Sequence, residues 1–343
     1  MDVGFEARGV LMEQFKPPSK TTIYKKVKEC GASKAILKRV LPDWWSDDLL
    51  LTNTGLLQFS LLLKNRLGIQ MELDHFGAVN FSILPASIQF KKRSTTDYDK
   101  LLDSALLAQA IGKTFIRALR YNEVEQDLEN FFSELSQLKY IELDSVVALL
   151  WAHNIPVLYL ENFPASFSRP AGTIVRDGDL YAIILSHKHK SPSTQLFVLL
   201  HEIGHVKFGH LDGSGLITDA SVSALGESLK EETDQQEIEA DEFALDVLRN
   251  GVDIQKIIKK MGPIQRPAEL ALHAQKLNKE VNVNPGHFVL SYGRDTRNWP
   301  LAHQALKFLE QGDAQSVFNK YYQSALDRYE FKNDDLELLE RML

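Results

Sequence analysis

Apolar positions along this 343-residue chain fall mostly at the three-and-four spacing of amphipathic helices, with one clear stretch of β alternation. From Tyr98 to His153 the spacing predicts two or three helices, broken near Tyr121-Asn122 and Leu138-Lys139. Gly55 to Gly68, Leu301 to Tyr322 and the acidic-apolar end Asp334 to Leu343 read as further helices. Gly172 to Leu185 reads as a β-hairpin, because Asp177-Gly178 supplies the turn and apolar or β-branched residues flank it. Such a hairpin is either a candidate edge for main-chain pairing with an extended peptide or part of a structural sheet with no free edge. Residues 80–100 read as a connection, and 211–233, rich in Gly, Ser, Asp and Glu, as a long insertion that acts as a lid or stays disordered. The pattern predicts an α+β, mostly helical fold: an N-terminal helical domain at 1–95, a central domain at 96–290 and a C-terminal helical region at 291–343.

The apolar run from Leu196 to Phe208 predicts a buried helix of about four turns. Ser191-Pro192-Ser193-Thr194 offers N-cap candidates and Gly209 a stop. Inside it stands His201-Glu202-Ile203-Gly204-His205. Histidines at i and i+4 share one helical face about 6 Å apart, so both rings reach one metal ion, and Glu202 is set to activate a water. Polar side chains of this kind are costly to desolvate on an apolar helix unless something binds them. The pattern is the signature of a zinc-dependent peptidase, with one Zn2+ ion as the expected cofactor.

Such a site needs a third protein ligand. Thr233-Asp234-Gln235-Gln236 looks like a capping box opening a second helix through Leu245. Glu237, Ala240, Asp241 and Ala244 share one face, and the alanines permit a close helix approach. Glu237 is therefore the candidate third ligand, and Asp241 the acceptor for the spare N–H of a ligand histidine. Glu239 is a rival that points away from the small-residue face. His210 reads as a helix-end residue, since Phe208 and Leu211 occupy the positions where an elongated zinc motif requires Gly and His. His187 and His189 read as solvated loop residues. Candidates for stabilising an oxyanion are His287, Tyr292 and Arg294, each with a structural alternative.

The segments Leu199 to His205 and Glu237 to Ala244 together resemble the ImmA/IrrE metallopeptidases of bacteria, phages and mobile elements. The strand Ala182 to Ser186 and the stretch Val147 to Tyr159 fit as well, so the resemblance spans about residues 100–290. It implies a small gluzincin-like core with an active-site helix and a short sheet, zinc held by His201, His205 and Glu237, and Glu202 as catalytic residue. It further implies limited cleavage of a DNA-binding repressor, encoded nearby, that releases stress, phage or mobile-element genes. Where that family commonly ends its second helix in a Leu-Leu-Met-Pro-like sequence, this chain has Leu245 to Asn250. That departure touches helix packing, not the zinc ligands.

Composition narrows the setting. Hydrophobic residues make up 44%, ample for a real core, and the single cysteine, Cys30, rules out an intrachain disulfide framework. The longest stretch without Asp, Glu, Lys or Arg, Ser145 to Leu160, is too short to span a membrane, and the start lacks a signal-peptide pattern. These features predict a cytoplasmic protein without a membrane partner. A net charge of −7 argues against broad nucleic-acid binding. Lys20, Lys25, Lys26, Lys28, Lys34, Lys38 and Arg39 nevertheless form a basic cluster before Trp44-Trp45. It is a candidate degenerate helix-turn-helix for DNA, or a helical domain with a solvated basic face and the tryptophans as packing anchors. The alternatives to a peptidase are a non-cleaving zinc-binding regulator or antitoxin acting by protein contact, and a DNA-binding regulator with a structural metal.

Overall fold

The computed structural model describes residues 18–73, 79–83, 88–91, 98–161, 163–165, 167–211, 213–219 and 235–343. The fold is α+β and mostly helical. Three N-terminal helices, α1 (Lys20–Glu29), α2 (Lys34–Val40) and α3 (Asn53–Leu67), lead into an antiparallel pair, β1 (Ile69–Leu73) and β2 (Val79–Ile83). Gly68 ends α3 in the left-handed region at φ 66°, where a side chain would be strained. After β3 (Ile88–Lys91) come α4 (Tyr98–Tyr121), α5 (Leu128–Gln137) and α6 (Leu143–Ala152), with breaks where the sequence places them. Next are β4 (Val157–Tyr159), β5 (Gly172–Asp177), β6 (Leu180–Leu185), α7 (Pro192–Lys207), β7 (Gly215–Asp219) and α8 (Gln235–Arg249). The chain closes with α9 (Ile254–Met261), α10 (Pro267–Val281), α11 (Pro285–Thr296), α12 (Trp299–Leu309), α13 (Ala314–Arg328) and α14 (Asn333–Met342).

The hairpin forms as its turn chemistry dictates, with Gly178 at φ 62° and Asp177 paired with Leu180. Its place rules out the free-edge reading and leaves the structural sheet. The larger sheet runs β3-β7-β5-β6-β4, so β5 and β6 are interior, and among the described strands the outer ones are β3 and β4. β5 is antiparallel to both β6 and β7, whereas β3–β7 and β4–β6 are parallel. The supposed insertion at 211–233 therefore contains an interior strand, β7, and the supposed connection at 80–100 contains β3. Residues 212 and 220–233 of that insertion, and Thr233-Asp234 of the four-residue capping box, lie outside the described residues.

One apolar core runs from Ile23 on α1 to Met342 on α14 and takes in β4–β6, α6 and α7. Trp45 stacks on Phe59 at 5.3 Å, as a packing anchor should, while Trp44 donates its indole N–H to Asp334. Arg66 and Arg341 donate to backbone carbonyls of α2 and the turn after it, and Arg66 also to the Asp334 carbonyl, tying the last helix to α2 and α3. A second apolar cluster is shared by α9 to α12. It meets the main body where Gly286 on α11 lies against Ser193 on α7, so closely that a Cβ would overlap the serine. Among the described residues no helix is long and apolar enough to cross a membrane.

Candidate metal centre

Both ends of α7 are built as its sequence dictates. Ser191 caps the start, accepting from Thr194 N at 3.2 Å, with Pro192 in the first turn. Glu310 reinforces that positive helix end, accepting from Ser191 Oγ and Ser193 N, each at 2.9 Å. Gln195 donates to the carbonyls of His187 and His189. These two histidines are half-buried rather than solvated as expected, and burial pushes the His187 pKa down to about 4. At the other end Gly209 takes φ 65°, the His210 amide reaches back to the His205 carbonyl, and the Gly209 amide to that of Val206. That pair of bonds is the left-handed terminator that glycine favours.

Between the caps every residue from Ser193 to His205 is buried. Helix α8 packs across α7 at its small residues. A Cβ on Gly204 would sit 2.9 Å from the Ala240 Cα, and Ala240 and Ala244 are fully buried. The expected close approach is present, and it brings Glu237 over the two histidines.

His201 Nε2 lies 3.1 Å from His205 Nε2, and the Glu237 carboxylate oxygens lie 3.6 Å and 3.4 Å from those two nitrogens. One ligand atom from each residue falls within a 4.8 Å cluster. The arrangement fits a cation. Asp241 Oδ1 is 2.7 Å from His201 Nδ1, and because a carboxylate only accepts, that nitrogen carries the proton, which in a neutral ring leaves Nε2 bare. Glu237 Oε1 is buried without a hydrogen-bond partner among the described residues. Acceptors converging at this range repel unless positive charge joins them. Two imidazoles and one carboxylate are a donor set suited to zinc.

Glu202, one residue beyond the first of these histidines, is fully buried. Gly172, the first residue of β5, runs directly over it, so that a Cβ there would overlap the Glu202 carboxylate. Sequence reasoning missed Gly172, since nothing local marks a glycine whose neighbour is a helix thirty residues on. It also set His210 and Glu239 aside. His210 does sit at a helix end, yet its Nδ1 is 2.8 Å from His205 Nδ1 and its Nε2 is 2.9 Å from Glu239 Oε2.

The three oxyanion candidates lie on α11, in the α9–α12 lobe. Tyr292 is buried and its hydroxyl accepts from Ile264 N at 2.6 Å. His287 is buried against Ser291, with its pKa pushed down to about 3 by burial, and Arg294 pairs with Asp295 at 3.5 Å. Their hydrogen-bonded partners make them parts of the lobe's framework.

Comparison with curated proteins and with solved structures gives no match. The sequence model of one family, Peptidase U49, matches residues 192–265. That span runs from the first residue of α7 past the end of α9 and contains all the histidines and carboxylates of the site; this part of the chain is similar to a peptidase family.

Proposed function

We propose that the protein is a zinc-dependent endopeptidase that makes limited cuts in a regulatory partner protein. The observation that carries this reading is the convergence of His201, His205 and Glu237 on one point, with Glu202 beside them on the same buried helix. Similarity of residues 192–265 to a peptidase family supports hydrolysis of peptide bonds. His201, His205 and Glu237 would hold the ion, leaving a position for water or substrate. Zinc bound there supplies Lewis acidity that polarises the scissile carbonyl and acidifies a water. Glu202 accepts a proton from the water and returns it to the leaving amine, while Asp241 keeps the His201 ring in its ligating orientation.

The narrower reading follows the motif resemblance to the ImmA/IrrE metallopeptidases: the substrate is a DNA-binding repressor encoded nearby, and its cleavage releases stress or mobile-element genes. The presence of Glu202 favours hydrolysis over a scaffold or antitoxin, because a structural metal needs no base. The test is coexpression with neighbouring regulators, comparing wild type with Glu202→Gln. A cleaved regulator in the wild type, and an intact one beside a variant that still holds zinc, supports the reading. Cleavage by both, or purified wild type without affinity for zinc, overturns it.

A further inference from the structure

The two histidines are held from behind in different ways. His201 meets a carboxylate directly, through Asp241. At His205 Nδ1 stands a second imidazole, His210, which in turn meets a carboxylate, Glu239. With both rings neutral, proton placement along this chain follows from its outer end. Glu239 accepts, so His210 Nε2 carries a proton; a neutral His210 then has a bare Nδ1, which accepts from His205 Nδ1–H. The last consequence is a bare His205 Nε2, facing Glu237 and His201.

We propose that His210 and Glu239 are a positioning pair that holds His205 in its ligating tautomer; its bearing on zinc rests on the function proposed above. The backbone is built to deliver His210. Gly209 in the left-handed region folds residue 210 back onto the turn that carries His205. Beyond it, Leu211 is buried with Ile174, Tyr181 and Ile217, and its carbonyl accepts from Arg176 at 2.7 Å. The His210 ring stacks on Phe208 at 5.7 Å and 26°. Glu239 leaves the small-residue face of α8 and is held on its own helix by Gln235, which donates at 3.1 Å. An imidazole accepts less strongly than a carboxylate, so the pair makes His205 a weaker donor to a metal than His201.

The test uses the full-length protein, with each variant shown to be folded by circular dichroism. Nitrogen-15 spectra of the histidine rings report the His205 tautomer without metal. The expected result is a single Nδ1–H form in the wild type and a mixture in His210→Phe, which keeps a ring against Phe208. Zinc affinity, read by competition with a chromophoric chelator, should fall roughly 10- to 100-fold in His210→Phe and about 10-fold in Glu239→Gln. His210→Asn, whose amide oxygen takes the place of Nδ1, should recover most of the ordered tautomer. An unchanged His205 spectrum in His210→Phe overturns the proposal whatever the zinc titration gives, as does a wild-type His205 without the Nδ1–H form. A wild type that orders the tautomer but binds no zinc would instead remove the metallopeptidase reading and leave the positioning pair standing.

Discussion

Helices α7 and α8 supply the site together and are opposites as pieces of protein. α7 is buried from Ser193 to His205, whereas α8 buries Ala240, Ala244 and Leu248 and turns Gln235, Glu242 and Asp246 to solvent. The difference separates two tasks. α7 fixes two rings and a carboxylate by having no room to move, as close-packed interiors do. α8 brings one carboxylate over them on a narrow small-residue seam, and its position depends on how near the seam lets it come. The most damaging substitution should therefore fall where the two meet. Gly204→Val would place a side chain 2.9 Å from the Ala240 Cα and 3.1 Å from its carbonyl oxygen, backbone that cannot swing aside. Separation of the helices should cost about 3 kcal/mol in urea denaturation. It should also abolish zinc binding, and with it the further stabilisation of about 4 kcal/mol expected at a thousandfold excess of zinc over Kd. Retained zinc affinity would mean that α8 does not need the seam.

Gly172→Ala tests the other wall of α7. The obstacle here is the end of a flexible side chain, so the helix need not shift; the Glu202 carboxylate must. Peptidase activity should fall on the order of 100-fold, the scale for misplacing a reacting group by about an ångström. The melting temperature and zinc content should stay near wild type. A parallel loss of fold would show that β5 and α7 cannot part even by a methyl group.

What was legible in the sequence follows the same division. α7, the hairpin and the helices of 98–153 stand out because period, caps and turn residues are local signals. Glu237 and Asp241 were readable because a helix fixes which residues share a face. β7 was not, since Gly215-Leu216-Ile217-Thr218-Asp219 is short, lies in a polar stretch and finds its partner β5 some forty residues earlier. β3 is shorter still and pairs with β7 across more than a hundred residues. The link from His205 through His210 to Glu239 needs a glycine turn and a helix from elsewhere to meet, and no periodicity encodes such a meeting. Gly209 was the one clue, because a left-handed stop returns the next amide to the preceding turn.

The support beneath the α7 N-terminus gives a pH effect of intermediate size. His287, buried on α11 near the Gly286–Ser193 contact, has its pKa lowered to about 3 by burial. Its unfolded-state value is near 6.5, so the unfolded chain binds the extra proton first. The stability from burying it neutral is complete above pH 6.5 and declines as pH falls towards about 3, by roughly 1.4 kcal/mol per pH unit. Urea denaturation at pH 7.5, 6.5 and 5.5 should show this slope in the wild type and a shallower one in His287→Gln. Equal slopes would mean the ring is protonated or solvated in the folded protein.

The smallest effect is expected on α8, where it bounds the contrast from the other side. Glu242 follows Asp241 in the chain but points to solvent, so Glu242→Ala removes no packing and no site contact. It should change stability by less than about 0.5 kcal/mol and leave zinc affinity unaltered. Leu199→Ala on α7, two residues before His201 and fully buried, should by the same measurements cost about 3 kcal/mol through the cavity it leaves. If Glu242→Ala weakened zinc binding as much as Glu239→Gln, the electrostatics of the whole acidic helix would be holding the ion. The site would then be a diffuse negative field, and the directed contacts of Glu237, Asp241 and Glu239 would lose their special place.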